Sequence, residues 1–193
     1  NADIDGTKRT CCVGINNRKA ARIAGRLMGQ FLGGTGKIAV VSSAIASENN
    51  NYYVQVRETE FADFIHKEYP DIKIITTLDS FEDPQITYEK TVKLLRDYQD
   101  LQGIYITCGG VSQVGRALEE SGRAKDIRVI SFEDYPEVVD LIRKDVIDCT
   151  LAGELQQQGE IPVQIIMDYL VFGKEPEQQQ IFTDIRVLVK ESL

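Results

Sequence analysis

Short apolar runs with the composition of buried β-strands alternate along this chain with longer runs of helical period, and this alternation constrains the fold more than any other feature. Five segments read as strands: Lys37–Ser42, Asp71–Thr77, Gly103–Thr107, Ile127–Ser131 and Asp148–Leu151. The four segments between them repeat apolar residues at the spacing of one helix face. Val54–Tyr69 aligns Phe61, Phe64 and Ile65, and Pro84–Tyr98 aligns Tyr88, Val92 and Leu95. Val111–Ser121 aligns Val114 and Leu118, and Glu137–Lys144 aligns Val138, Leu141 and Ile142. Asp83 before Pro84 suits an N-cap followed by proline at the first helical position, and Gly122 suits a C-cap. Strands this short and apolar belong in a sheet covered on both faces. The pattern therefore predicts an α/β fold, a doubly wound parallel sheet over residues 36–153.

The chain ends fall outside that count. Arg9–Ile15 reads as a strand, and Asn17 as the cap of a helix bearing Ala20, Ala21, Ile23, Ala24, Leu27 and Phe31. At the other end Ile161–Phe172 reads as an apolar helix, followed by a polar loop over Glu177–Gln180 and a last strand, Thr183–Lys190. Terminal strands flanking a complete lobe predict that both ends reach into a second lobe, most of it missing. The expected division is 1–35, 36–153 and 154–193.

Composition narrows the function. Lys and Arg total 22 against 30 for Asp and Glu, a formal net charge of −8. Such a surface repels phosphate backbones, so this chain alone is not expected to bind nucleic acid. No apolar run reaches the length of a membrane span. Cys11, Cys12, Cys108 and Cys149 lack the spacing of a zinc site, and free thiols point to a reducing, cytoplasmic setting. The one histidine, His66, lies beside Lys67 and Glu68 in an amphipathic helix and reads as a solvated surface residue. Gly33, Gly34 and Gly36 precede a strand, the wrong order for a phosphate cradle. No nucleophile–base pair or nucleotide-binding motif is present. Neither a catalytic residue nor a metal or other cofactor is expected.

Candidate ligand groups lie at the strand ends, where open α/β sheets bind small molecules. Gly109-Gly110 permits close backbone approach, or serves only as a tight turn into the next helix. Glu133 could accept hydrogen bonds from a polyol, while Asp134 suits the cap of the helix beginning near Pro136. Arg57 follows a polar loop, Ser47–Asn51; its fork suits vicinal hydroxyls, but an exposed arginine pairing with Glu58 or Glu60 fits equally ordinary rules. Gln156-Gln157-Gln158-Gly159 offers amides to a ligand, or opens a solvated helix.

Together these segments resemble the effector-binding domain of LacI/GalR transcription regulators and, more distantly, the periplasmic sugar-binding proteins of the same bilobed fold. Cys12-Val-Gly-Ile-Asn-Asn17 with Ala20 and Ala21 is similar to the family's VGxDNxxAG, and Arg57 to Phe61 to RxxGF with glutamate for glycine. Gly103 to Leu118 resembles GIYxxxGGxxxxxxAL, and Val129 to Pro136 resembles VVGFDDxP with Glu133 for the first aspartate. Thr150 to Gly159 resembles TIxQDPxxQG, with Gly153 and Leu155 in place of glutamine and proline.

The resemblance implies ligand contacts at Arg57, Glu133 and Gln157, with Gly109 and Gly110 facing the cleft. It implies a flavodoxin-like strand order, a sugar-like effector, a homodimer, and operator DNA bound through a helix-turn-helix domain lying before this chain. Part of the dimer contact is expected on Phe61–Tyr69, and no membrane partner is expected. The alternative is the solute-binding protein of a sugar ABC transporter.

Overall fold

The computed structural model describes residues 3, 7–43 and 52–193. The polar loop read over Ser47–Asn51 lies outside the described residues. Strands β1 (Cys12–Ile15), β2 (Thr35–Ser42), β3 (Asp71–Asp79), β4 (Gly103–Ile106), β5 (Arg128–Phe132) and β6 (Cys149–Gly153) alternate with helices. These are α1 (Asn17–Phe31), α2 (Tyr52–Glu68), α3 (Pro84–Asp97), α4 (Val111–Ser121) and α5 (Pro136–Arg143). Helix α6 (Leu155–Phe172) and strands β7 (Gln180–Thr183) and β8 (Ile185–Leu188) follow.

The main sheet has the order β3-β2-β4-β5-β6-β8. Its five predicted strands are all parallel, and their order is the flavodoxin-like one. Period-2 alternation sorts their side chains into two cores. Ala39, Val41, Ile104, Ile106 and Val129 meet α3, α4 and α5, whereas Ile38, Val40, Tyr105 and Ile130 meet α1 and α2. Gly103 admits this packing: a Cβ there would stand 2.7 Å from Met28 Sδ and 2.8 Å from Ile38 Cγ2.

Several terminal features differ from the sequence reading. The cap of α1 is Asn16, which accepts from Lys19 N at 3.0 Å, and Asn17 is the first helical residue. Helix α1 also packs on the main sheet through Ala20, Ala21, Ala24 and Met28, which are fully buried, rather than standing with the terminal segments. The last strand is two strands. Strand β7 pairs in parallel with β1 as a separate two-stranded sheet, and β8 closes the main sheet antiparallel to β6. Helix α6 begins six residues before the expected start and runs through Pro162. Asp83 and Gly122 cap as expected, Asp83 Oδ1 accepting from Ile86 N at 2.8 Å and Gly122 at φ 71°.

The chain crosses between the two sheets three times, at Ile15–Asn17, Gly153–Leu155 and Thr183–Ile185. The crossings are stitched together. Glu154 N donates to Asp184 O at 3.4 Å, and Gln158 Nε2 to Thr183 Oγ1 at 3.4 Å. Arg186 joins Asp134 at 2.8 Å and Glu154 at 2.7 Å. That pairing corrects the capping role expected of Asp134: the cap of α5 is Tyr135, without a side-chain bond.

Candidate functional site

A cavity of about 300 Å³ lies between the two-stranded sheet and the carboxyl ends of the main-sheet strands. One wall is β1 and β7, from Cys12 to Ile15 and from Gln180 to Phe182. The other carries Arg57, Glu133, Tyr53, Tyr135 and Gly153, with Asn17, Leu155 and Gln158 at the crossings.

Arg57 is the best-anchored polar group in this cavity. It sits near the start of α2, its side chain only 12% exposed. Nε donates to Asn17 Oδ1 at 2.7 Å and Nη1 to the Thr107 carbonyl at 3.1 Å. The guanidinium lies 3.9 Å above the Phe132 ring, a desolvated cation–π contact. Nη2 approaches Glu133 Oε1 at 3.6 Å. Burial draws the Arg57 pKa below its ordinary value, while Tyr105 and Glu133 oppose that fall. The exposed arginine paired with Glu58 or Glu60 is thus not what forms. Glu60 turns instead to Arg18 and Arg22 of α1.

Beneath Arg57 an aromatic stack fills the sheet face. Phe61 and Tyr105 stack at 4.0 Å between ring centroids, and Tyr105 meets Phe132 at 6.0 Å. Because Tyr105 is wholly buried, the plane against which Arg57 rests is packed from behind.

Glu133 adopts φ 70°, a left-handed conformation that costs a non-glycine residue about 1 kcal/mol or more. Two bonds hold it there: Glu133 N donates to Leu151 O at 2.8 Å, and Thr150 Oγ1 donates to Glu133 O at 2.7 Å. The strained turn leaves its carboxylate 39% exposed at the cavity mouth, beside Arg57. Tyr53 stands on the same wall. Burial, with smaller help from Cys12, pushes its hydroxyl up to about 12, so it remains a proton donor at any physiological pH.

Of the predicted site residues, the fold brings Arg57 and Glu133 together in the cavity and leaves three outside its lining. Gly109 and Gly110 follow β4 at the same end of the sheet, but Gly110, at φ 92°, serves as the N-cap of α4. A Cβ on Gly110 would lie 2.8 Å from Thr87, so the glycine is required by the turn itself. Gln157 is not among the lining residues, whereas its neighbour Gln158 is. Sequence reasoning missed Asn17 and Tyr53, and chose Gln157 from a run that also held Gln158. Asn17 carried a signal, as the second of two asparagines where one suffices for the cap, and Gln158 carried another, as the residue matching the last glutamine of the TIxQDPxxQG pattern. The expected dimer face also fails in part: Phe61 and Ile65 are fully buried within the lobe.

Residues 1–175 match the family model described as periplasmic binding protein domain. The chain is similar to the sugar-binding protein of a sugar ABC transporter from Bacillus halodurans, at 27% identity and a TM-score of 0.86, over 96% of this chain and 66% of that one. Two further structures share the fold. They are a glucose-galactose binding protein from Geobacillus stearothermophilus (23% identity, TM-score 0.87, 100% and 66% covered) and a solute-binding protein from Burkholderia graminis in complex with D-arabinose (22%, 0.88, 99% and 65%). The chain spans about two thirds of the length of each, 65–66%.

These matches overturn the cytoplasmic setting expected from the free cysteines, because the family is that of periplasmic binding proteins and the Bacillus halodurans structure serves an ABC transporter. The thiol argument fails for a physical reason. The reason holds for two of the four thiols: Cys149 is fully buried and Cys108 nearly so, where a thiol packs as a small apolar side chain shielded from oxidants in any compartment, whereas Cys11 and Cys12 are half-buried. On the match over residues 1–175, the chain belongs to the periplasmic binding protein domain family.

Proposed function

We propose that this chain is the greater part of a solute-binding protein that captures a neutral sugar or polyol and delivers it to an ABC transporter. The observation that carries this reading is the Arg57–Glu133 pair: a buried fork of donors beside a half-exposed acceptor, 3.6 Å apart on one wall of the cavity. Vicinal hydroxyls both donate and accept, so they satisfy such a pair without leaving a charge unmatched. A carboxylate would neutralise Arg57 only by facing Glu133 as well, so a neutral ligand is favoured over a sugar acid. The cavity, about 300 Å³, falls at the small end of ligand sites, about 300–1,000 Å³. That the Bacillus halodurans relative is a sugar-binding protein supports the ligand class. The reading involves no chemical step, in keeping with a binding protein rather than an enzyme.

The architecture follows the same proposal. Residues 36–153 form the ligand lobe, while β1, β7 and α6 contribute to a second lobe. Val163, Ile166 and Leu170 of α6, spaced to share one side of the helix, are 62%, 56% and 71% exposed, an apolar face suited to burial in that lobe. The operator-binding, dimeric regulator implied by the LacI/GalR motifs has no counterpart among the structures above, and the transport reading takes its place.

Calorimetric titration of the full-length protein with D-arabinose, D-galactose and D-fucose, set against galacturonate, tests the ligand class. A neutral sugar should bind and Arg57→Ala or Glu133→Ala should abolish the heat. If no neutral sugar binds while galacturonate does, the proposal fails. Uptake of the labelled sugar should fall in cells lacking the gene; unchanged uptake would refute the transport role.

A further inference from the structure

Helix α1 carries Arg18, Lys19, Arg22 and Arg26 and no acidic residue, although the chain as a whole bears a formal charge of −8. With Phe64 of α2, these four side chains surround an open groove of about 450 Å³ on the outer face of the α1–α2 pair. Its floor is apolar, formed by Ile23, Leu27 and Phe64, and no carboxylate is among its lining residues.

The guanidinium groups are held in place rather than loose. Arg22 Nε donates to Glu60 Oε2 at 3.0 Å, and Arg18 bonds the same carboxylate. Glu60, 9% exposed, therefore anchors two cations with one charge. Arg26 donates to Tyr69 Oη at 3.1 Å and Glu68 Oε2 at 3.3 Å, and lies 5.1 Å from the Phe64 ring centroid. Four cations thus face two carboxylates, and the arginines keep 50–59% of their side-chain surface exposed. Fixed forks lose little freedom on meeting a carboxylate, which is the opposite of the mobile lysines that suit a fluid lipid surface.

We propose that this groove docks an acidic segment of a partner protein, with one apolar side chain on the Ile23–Leu27–Phe64 floor and flanking carboxylates on the rim arginines. The two features act together: the apolar floor fixes register, and the rim selects charge and hastens encounter in an otherwise repulsive field. This site lies outside the Arg57 cavity and does not depend on which sugar is bound.

Fluorescence anisotropy tests the docking with a labelled peptide of glutamates around a central leucine, added to the full-length protein. Binding should weaken about tenfold or more in the Lys19→Gln/Arg26→Gln variant, equivalent to at least ~1.4 kcal/mol. It should be unchanged in Lys125→Gln/Lys174→Gln, and it should weaken with salt. Both variants leave the Glu60 anchor intact, and thermal unfolding checks that they fold. No peptide binding, equal binding by the all-glutamate peptide, or equal loss in both variants would overturn the proposal. So would binding confined to phosphatidylglycerol vesicles, which would make the face a membrane contact.

Discussion

Replacing Arg57 with lysine separates the shape of this side chain from its charge. The native guanidinium donates to Asn17 at 2.7 Å and to the Thr107 carbonyl at 3.1 Å, and stacks on Phe132 at 3.9 Å. A lysine ammonium on the same backbone can reach one acceptor but has no plane to stack. The loss is one charge-assisted hydrogen bond, about 1.5–3 kcal/mol, and part of a desolvated cation–π contact, up to about 2 kcal/mol. New hydration at the cavity mouth offsets some of this, so roughly 2 kcal/mol of stability should disappear. For a chain of 193 residues, that lowers Tm by about 4–8 °C. Sugar affinity should fall about ten- to hundredfold, since the fork's second bond to the ligand is lost as well. Scanning calorimetry without sugar measures the first quantity, and titration calorimetry the second. Unchanged affinity alongside the Tm loss would make Arg57 a purely structural residue. Unchanged values in both would refute the anchoring geometry itself.

Three further outcomes follow from groups outside the cavity mouth. Tyr105 Oη is buried without a hydrogen-bond partner among the described residues, so Tyr105→Phe should raise stability by about 1 kcal/mol or more in urea titration; a loss would show that the hydroxyl is satisfied. Burial opposes ionisation of Glu60, but Arg18 and Arg22 outweigh it and hold its pKa below the ordinary value. The stability this contributes is present above the unfolded carboxylate value, about 4.3, and is lost as pH falls through the lower folded value. Glu60→Gln should therefore cost most at about pH 7 and progressively less as pH falls below the ordinary carboxylate range; a cost independent of pH would sink the ionic account. Burial, aided by Asp148, pushes the Cys149 thiol up to about 12, so this cysteine should resist a disulfide reagent until the protein unfolds, as mass-spectrometric labelling would show.

The lobe was legible because its signals are local and redundant. Each strand of the parallel sheet is a short apolar run between helices of clear period, and Asp83-Pro84 and Gly122 mark helix ends by backbone chemistry alone. The two-stranded terminal sheet was less so. Thr183–Lys190 reads as one strand, and its division around Asp184 depends on pairing with β1 and β6, more than thirty residues away in each case. In the site, Glu133 could be placed because a polar residue at a strand end has one obvious use. Arg57 could not be distinguished from a surface arginine, because Glu60 one turn away is an ideal partner in sequence. The contest is decided by α1, whose Arg18 and Arg22 reach Glu60 from 42 and 38 residues away. The exchange of Gln157 for Gln158 has the same character. A step of one residue turns a helix by about 100°, so placing the wrong glutamine in the cavity needs only a small error in where α6 begins.

Asn17 shows why the site and the chain crossings belong to one argument. Because Asn16 takes the capping bond, Asn17 is free to accept from Arg57, and at 8% exposed it does so as a buried residue at the first crossing. Glu133 is fixed from the second side by Leu151 and Thr150 of β6, the strand that leads into the second crossing at Gly153. Gln158 reaches the third through Thr183. Arg57 (through Asn17), Glu133 and Gln158 are thus each tied to a segment that joins the two sheets. On the proposed reading, a change in the angle between lobes alters the reach of β1 and β7 toward the ligand, while Arg57 and Glu133 keep their geometry on the rigid sheet. A ligand that needs both walls would then favour the closed arrangement by the free energy of its contacts with β1 and β7 alone, so substitutions on that wall should change the closing equilibrium, whereas those at Arg57 change the affinity of either state.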